Sequence, residues 1–380
     1  MNKIFLLCAL VCALGMTTVA QNKYEMDCRI EGDSLFVKVD CVFEKEYPEV
    51  EFFILTNTAN IRMANTACLG YTYSQKDDTV RFKNMPLPKY FRIYYSLPLN
   101  DYQTSDGAIV LRREGNWYPH RNGELLTADV DVKTDGYYII GGSETTPSFD
   151  LHLVLLPKDK YVCRVIDDAV RPFHFYQNAS DTVEHPDAFY HEFVDSYRFY
   201  CAFFGDSLSR QPMNIVEIGD PHFMMCQSLR DMVIFGPYFL QVYKMIPDFS
   251  WVPHEVAHQW WGNSIFFEYR DYALGESLNE YIKLQFLKSR GRGYEEQIGY
   301  YTAMNDRASQ SLPIADIHSV ESQDESIAIY HTAPLRLEQM KDIDIADMLK
   351  RLYREEKGKS VTRDVFTQKC RPLQVWLKAE

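Results

Sequence analysis

The stretch from His254 to Asn263 limits what this chain can fold into more than any other part of the sequence. It reads HEVAHQWWGN and contains the pattern H-E-x-x-H. Residues four apart in an α-helix lie one turn apart on the same face, so the imidazoles of His254 and His258 can reach one cation, with Glu255 beside them. The pattern therefore predicts a zinc site on a helix, together with a carboxylate that can act as a general base.

The flanking residues favour a helix at this place. Asp248 and Ser250 are candidate N-cap residues, Pro253 falls in the first turn, and Gly262 with Asn263 is a natural end. The alternative is a pair of core histidines that bind no metal. That alternative loses most of its support if the chain supplies a third ligand.

Glu276 is the candidate for this third ligand. Zinc in hydrolytic sites usually takes three protein ligands and keeps its fourth position for water. Glu276 follows His258 after seventeen intervening residues and opens a second helical pattern that ends at Gly291. Glu280, one turn further on, can accept the outer N–H of a ligating histidine. We therefore predict one zinc ion per chain, bound by His254, His258 and Glu276.

HEVAHQWWGN and the later stretch LGESLNEY together resemble the gluzincin zinc metallopeptidases of the aminopeptidase N (membrane alanyl aminopeptidase) type. That family carries H-E-x-x-H-Q-W-[FW]-G-N and then [NS]-E-G-[FL]-A. The spacing to the glutamate is one residue shorter here, and Ala273 and Ser277 stand where a tryptophan and a glycine are common. The resemblance implies a saddle-like N-terminal β domain, a thermolysin-like catalytic domain and zinc-dependent hydrolysis of peptide bonds.

The resemblance also implies roles for two residues outside the metal pattern. The segment IYHTAPLRLE resembles the family's Y-x-K-[GA] segment, whose tyrosine donates to the oxyanion, and Tyr330 holds that position. The segment MMCQS stands where the family has G-[AG]-M-E-N, whose glutamate binds the free amino terminus of the substrate. The aligned residue here is Gln227, which has no charge. Asp220 or Asp231 can supply the carboxylate instead, or the loop has no contact with substrate.

The expected chemistry follows from these residues. Zinc lowers the pKa of its water, Glu255 takes the proton and passes it to the leaving amine, and Tyr330 stabilises the oxyanion. This favours an aminopeptidase that acts on peptides or proteins. Two alternatives remain: an endopeptidase with altered amino-terminal recognition, which Gln227 favours, and a secreted binding protein without catalytic activity.

The first twenty residues predict export. Lys3 is followed by an apolar run from Ile4 to Met16, and small residues end at Ala20, which is typical of a cleaved signal peptide at 1–20. The alternative is a membrane anchor, but the run is shorter than the roughly twenty residues that a spanning helix needs. No later segment has the length and hydropathy of a span. We therefore expect a periplasmic or extracellular protein with no membrane span after removal of the signal.

Charge and cysteine content exclude some classes of protein. The formal net charge is −13, and it becomes −14 without residues 1–20, which contain one lysine and no acid. Without a basic cluster, such a chain repels phosphate backbones, so no nucleic-acid partner is expected. Of nine cysteines, seven follow the signal, and they form no C-x-x-C metal site. A disulfide between Cys28 and Cys41 is possible in an oxidising compartment.

The predicted fold class is α+β with more than one domain. Residues 21–147 alternate short β-type runs with turn residues, which predicts an all-β domain. Residues 148–380 are expected to form the catalytic domain. There an aromatic stripe predicts a helix over 186–204, apolar runs predict strands at 214–219 and 231–236, and helices are expected at 345–356 and 363–377. The family's large helical C-terminal domain is expected to be absent.

Overall fold

The computed structural model describes most of the chain, namely residues 22–43, 50–53, 59–63, 72–76, 79–83, 89–120, 125–148, 150–179, 187–245, 251–267 and 269–378. The predicted signal peptide at 1–20 and Cys68 lie outside these ranges.

The described residues form strands in the first part of the chain and mainly helices in the second. The strands are β1 (Asn22–Glu31), β2 (Ser34–Val42), β3 (Val50–Phe53), β4 (Ala59–Met63), β5 (Thr72–Lys76), β6 (Thr79–Lys83), β7 (Tyr90–Pro98), β8 (Ile109–Leu111), β9 (Leu126–Lys133), β10 (Tyr137–Gly141), β11 (Glu144–Ser148), β12 (Leu153–Pro157), β13 (Tyr161–Ile166), β14 (Phe173–Asn178), β15 (Met213–Glu217), β16 (Cys226–Leu229) and β17 (Met232–Phe235). The helices are α1 (Asp187–Phe204), α2 (Pro237–Met245), α3 (Val252–Ala257), α4 (Tyr272–Arg290), α5 (Tyr294–Asn305), α6 (Gln323–Ile327), α7 (Ala333–Gln339), α8 (Ile345–Glu356) and α9 (Arg363–Lys369). The predicted α+β class is confirmed. No helix in the described ranges has the length and apolar character that crossing a bilayer requires.

The first of two compact units takes in Met1–Pro98, Arg113–Lys133 and Gly142–Leu151. Its described part contains a six-stranded sheet in the order β11-β9-β1-β2-β7-β4 and a three-stranded sheet in the order β3-β6-β5. Strand β1 buries every second side chain over most of its length. This alternation places one face of the sheet in a core, which is why the sequence pattern identified these strands.

The predicted disulfide in this unit is wrong. Cys28 and Cys41 are both free and buried. In the antiparallel ladder of β1 and β2, Cys28 lies opposite Val37, whereas Cys41 lies opposite Tyr24. The two cysteines are therefore offset by four positions, about 13 Å along the strands, which is too far for a disulfide.

The second unit takes in Leu99–Arg112, Thr134–Gly141 and His152–Glu380. It contains a three-stranded sheet in the order β10-β12-β8 and a five-stranded sheet in the order β13-β14-β15-β17-β16. Strands β14, β15 and β17 are parallel, while β13 and β16 pair antiparallel with their neighbours at the two edges. The two strands predicted from apolar runs are β15 and β17, and they are confirmed.

The aromatic stripe belongs to a core helix, as predicted. Helix α1 buries Phe189, Phe193, Tyr197, Tyr200 and Phe204. Tyr200 donates its hydroxyl to the backbone oxygen of Pro253 at 2.9 Å, and its ring lies 5.8 Å from that of Trp260. Helix α1 therefore packs directly on the H-E-x-x-H stretch and holds it in place.

An ion pair between a buried arginine and a partly exposed aspartate connects separate segments of this unit. The Arg171 side chain is fully buried and donates to the carboxylate of Asp231 at 2.7 Å. It also donates to the hydroxyl of Tyr197 at 3.0 Å and to the backbone oxygen of Gln211 at 2.8 Å. A guanidinium without water needs these acceptors, so the pair is costly to break.

We expect Asp231→Asn to lower the free energy of unfolding by about 2 kcal/mol, because it leaves the buried Arg171 without its counter-charge while keeping an oxygen acceptor. Asparagine also tolerates the φ of +55° at this position. Urea unfolding followed by tryptophan fluorescence measures the change. The control is Asp195→Asn, which removes an exposed carboxylate 3.6 Å from Arg198 and should cost less than about 0.5 kcal/mol. Equal losses in both variants would contradict the prediction.

Candidate metal centre

The H-E-x-x-H helix is α3, and it begins with Pro253 in its first turn as predicted. The predicted N-cap is wrong, because the N-cap position is held by Trp251, whose side chain makes no capping bond. Asp248 and Ser250 themselves lie outside the described residues. The regular helix ends at Ala257, earlier than expected, and His258 is its helical C-cap residue. The two imidazoles still share one face, with ring centroids 4.7 Å apart.

Gly262 lets the chain turn away directly beside the second histidine. Its φ is +141°, and a Cβ atom at this position would lie 2.9 Å from Nδ1 of His258. A side chain here would therefore be strained and would displace the ring. Glycine has no Cβ atom, so it avoids both the backbone strain and the close contact with the ring of His258.

Three donor atoms converge at one point beside α3. Nε2 of His254 lies 3.1 Å from Nε2 of His258 and 3.2 Å from Oε2 of Glu276, and the other carboxylate oxygen of Glu276 lies 3.6 Å from Nε2 of His258. Ligand atoms on a tetrahedral zinc ion are about 3.3 Å apart, given bonds of about 2.0–2.1 Å. The donor set and its spacing therefore fit zinc. Among the described residues, these three form the one group of histidine, cysteine and acidic residues with such spacing.

The charges around this point favour a cation. Burial alone would lower the pKa of His254, but the carboxylates of Glu280 and Glu276 outweigh it and raise this pKa to about 10. Burial alone would likewise raise the pKa of Glu276, but His258 and His254 outweigh it and hold this pKa far below its usual value. The residues thus stabilise positive charge where the three donor atoms meet.

Helix α4 carries Glu276 and orients both histidines. Oε1 of Glu280 lies 2.8 Å from Nδ1 of His254, and Lys283 donates to the other oxygen of Glu280 at 3.1 Å. On the second ring, Nδ1 of His258 lies 3.2 Å from the backbone oxygen of Trp261. A proton held on Nδ1 of His254 by Glu280 leaves the Nε2 lone pair of that ring free for a cation. Nδ1 of His258 also contacts the side-chain nitrogen of Asn279 on α4.

Tyr330 lies in a π-helical turn, Ala328–Thr332, between α6 and α7. Its hydroxyl oxygen is 2.5 Å from that of Tyr272, and its ring centroid is 6.2 Å from that of His254. Burial and the charge of Glu276 raise the pKa of Tyr330 well above its usual value. The phenol therefore stays protonated and can donate a hydrogen bond towards the metal centre.

Gln227 lies on β16, the edge strand beside α3. The residues on either side of it face the helix: burial and the charge of Glu255 raise the pKa of the Cys226 thiol, and Oγ of Ser228 accepts from the side chain of Gln259 at 2.7 Å. Gln227 itself accepts through Oε1 from the guanidinium of Arg112 at 2.7 Å. The segment expected to be a loop is thus a strand, and its glutamine is bound by an arginine.

The two alternative carboxylates are engaged elsewhere. Asp220 accepts from the backbone N–H groups of Ser105 and His222, at 2.9 and 2.8 Å. Asp231 forms the ion pair with Arg171. Both carboxylates therefore have partners within the chain, and the expectation that one of them replaces the family's glutamate stays a prediction.

Several residues of the centre were not identified from the sequence. Tyr272 and Asn279, which donates to the backbone oxygen of Trp261 at 2.8 Å, both lie on α4 with Glu276. Tyr272 lies four residues before Glu276 and Asn279 three residues after it, so all three share one face of the helix. This helical spacing is a signal from which the sequence could have identified both residues. Arg112 is more than a hundred residues away from Gln227, and no local pattern marks it.

Solved structures share this fold, although no family model and no curated protein matches the chain. An M1 zinc metallopeptidase from Deinococcus radiodurans, solved as a mutant with a Tyr-Ser-Ala substrate, has a TM-score of 0.69 at 13% identity and covers 94% of each chain. Another structure of an M1 zinc metallopeptidase from that organism has a TM-score of 0.68 at 14% identity, over 94% of this chain and 93% of the other. Native yeast LTA4 hydrolase has a TM-score of 0.64 at 10% identity, over 95% of this chain and 68% of its own. At these identities the likeness shows the fold, which is that of the M1 zinc metallopeptidases.

Proposed function

We propose that the protein is a zinc-dependent metallopeptidase. The observation that carries this proposal is the convergence of His254, His258 and Glu276, whose donor atoms lie 3.1–3.6 Å apart, next to Glu255 on the same helix. The shared fold with M1 zinc metallopeptidases supports it. Zinc bound to these ligands would polarise the scissile carbonyl and acidify a water molecule.

The remaining chemistry belongs to residues of this chain. Glu255 accepts a proton from the attacking water and delivers it to the leaving amine. Tyr330 donates its hydroxyl hydrogen to the oxygen that gains negative charge in the tetrahedral intermediate. The hydroxyl oxygens of Tyr272 and Tyr330 lie 2.5 Å apart. We assign Tyr272 as the donor of this bond, which leaves the hydrogen of Tyr330 directed at the substrate. These three residues supply proton transfer, charge stabilisation and orientation, in that order.

The form of peptidase that the sequence favours is an aminopeptidase, and we propose it first. The contact between Arg112 and Gln227 favours a second candidate, an endopeptidase, because the aligned glutamine has no charge to pair with an ammonium group and its oxygen already accepts from Arg112.

We also propose that residues 1–20 are a signal peptide that exports the protein. Sequencing of the amino terminus of the exported protein tests this signal peptide, and we expect the mature chain to start at Gln21.

Cleavage mapping of a mixed peptide library tests the proposed activity. Half of the library has free and half has acetylated amino termini, and the zinc-loaded protein is compared with Glu255→Gln. Loss of single residues from free peptides alone supports the aminopeptidase, whereas internal cuts in both halves support the endopeptidase. No cleavage in either half, with zinc bound, would overturn the proposal in favour of a binding protein.

We expect Tyr330→Phe to lower kcat by about 10²–10³-fold with little change in KM, because the lost hydrogen bond forms mainly in the transition state. Tyr272→Phe should lower kcat by about 10-fold, because it removes only the orienting donor. Steady-state kinetics on a cleaved peptide measures both. Tyr137→Phe on β10 is the control, and it should match the unmodified protein. A normal kcat in Tyr330→Phe would exclude its role at the oxyanion.

A further inference from the structure

The contact between Arg112 and Gln227 creates a group of hydrogen-bond donors beside the metal helix. Arg112 directly follows β8, and its guanidinium donates to Oε1 of Gln227 at 2.7 Å. Both side chains are partly exposed. Among the described residues, no carboxylate lies within ion-pair distance of Arg112. The positive charge at this point is therefore not neutralised by the described part of the protein.

The orientation of the Gln227 amide follows from its partner. A guanidinium has only donors, so the amide must present its oxygen to Arg112. The amide nitrogen then carries two N–H groups away from Arg112. Apart from the second lone pair of the amide oxygen, the polar atoms that these two side chains offer to a ligand are donors, and the pair carries one positive charge. A ligand with acceptor oxygens and a negative charge fits this arrangement, whereas an ammonium group does not.

The pair lies where a peptide substrate would run. Strand β16 has one strand partner in the described part of the chain, β17, so its other edge can pair with an extended peptide. Cys226 and Ser228 face α3, the first beside Glu255 and the second at Gln259. Gln227 lies between them and, because side chains alternate along a strand, it points to the other side. A peptide with its scissile bond at Glu255 would therefore place a neighbouring residue at Gln227 and Arg112.

We propose that Arg112 and Gln227 form a subsite that binds a carboxylate next to the scissile bond, so that the enzyme selects peptides with a carboxylate at that place. The carboxylate is that of an Asp or Glu side chain or that of the peptide's own carboxyl terminus. A guanidinium and a neutral amide bind either one by charge-assisted hydrogen bonds. This inference rests on the proposed peptidase function, because it assigns the substrate class of the same cleft.

Equilibrium binding to Glu255→Gln tests the subsite without requiring turnover. The probes are peptide pairs that differ by Glu against Gln at one position, each with a free or an amidated carboxyl terminus. We expect the peptide that carries the bound carboxylate to bind about 10–100-fold more tightly than the peptide in which a neutral amide replaces it. Weaker binding of the amidated peptides identifies the terminal carboxylate, and weaker binding of the Gln peptides identifies the side chain.

Variants of the arginine provide the matched comparison, each made in the Glu255→Gln background. Arg112→Gln should abolish the preference, Arg112→Lys should keep part of it, and Arg112→Glu should shift the preference to Lys-containing peptides. Arg164→Gln, which removes an exposed arginine that pairs with Asp187, should keep it in full. Equal binding of Glu and Gln peptides, together with equal binding of free and amidated carboxyl termini, in the Glu255→Gln protein would overturn the subsite even if peptides are cleaved. Absence of cleavage by the unmodified enzyme, with the preference intact, would instead overturn the peptidase function.

Discussion

Glu255→Gln is expected to keep one zinc ion per chain and to lower kcat by at least about 10³-fold. An amide has nearly the same size as a carboxylate, but it cannot take a proton from water and pass it to an amine. General base and acid catalysis by one residue contributes about 10²–10⁴-fold, and here the same carboxylate serves in both steps. Glu255 is not among the three residues whose donor atoms converge, so metal binding should survive. Metal analysis of the purified protein and steady-state kinetics measure the two effects.

The control for this variant is a glutamate of the same unit away from the centre. Glu295 is exposed in the first turn of α5, and Glu295→Gln should have normal kcat and zinc content. If Glu255→Gln keeps more than about one tenth of kcat, another group is the base. If it loses zinc, then Glu255 belongs to the metal site and the assignment of its role is wrong.

His258→Ala is expected to lower zinc affinity by about 10³-fold or more and to abolish activity. Zinc sites contribute on the order of 10 kcal/mol or more in binding free energy, shared among a few ligands, so one lost ligand removes a large part of it. The site also becomes geometrically incomplete, because His254 and Glu276 are left as two donors 3.2 Å apart. Titration with a competing chelator gives the affinity.

The matched control is His191→Ala, at an exposed position of α1, which should bind zinc normally. Circular dichroism distinguishes loss of metal from loss of fold, since His258→Ala should stay folded. Its melting temperature should no longer rise when zinc is added, because a ligand stabilises only a protein that binds it. A stoichiometric zinc content in His258→Ala at low free zinc would refute the ligand assignment.

The combination of these variants with the arginine series separates three properties of the site. Zinc content reports on His254, His258 and Glu276, turnover reports on Glu255, and the preference between acidic and neutral peptides reports on Arg112. Zinc content and peptide preference are both measured without turnover, whereas turnover also requires bound zinc. A protein that binds zinc and acidic peptides without cleaving any would be a binding protein with the same fold.

Local patterns in the sequence predicted the parts of the molecule that depend on local geometry. Helical spacing of four residues places His254 and His258 on one face whatever surrounds them, and the aromatic period of α1 required a buried face. Strand β2 followed from alternation, since one face of the sheet is buried. The helix start at Trp251 was not predicted, because this residue has no capping side chain and its position follows from tertiary packing of its ring against those of α1.

The contacts that give this site its own character join residues far apart in the chain. The sequence determined that two imidazoles and a nearby carboxylate share a helix, because this depends on backbone periodicity. It also indicated Glu276 as the third ligand, through its distance along the chain from His258 and the helical pattern that it opens. Only the tertiary structure decided that Tyr272 meets Tyr330, that Cys28 and Cys41 are out of register, and that Arg112 binds Gln227. Each of these depends on how strands and helices distant in sequence are placed beside one another, and side-chain spacing along one segment contains no information on that placement.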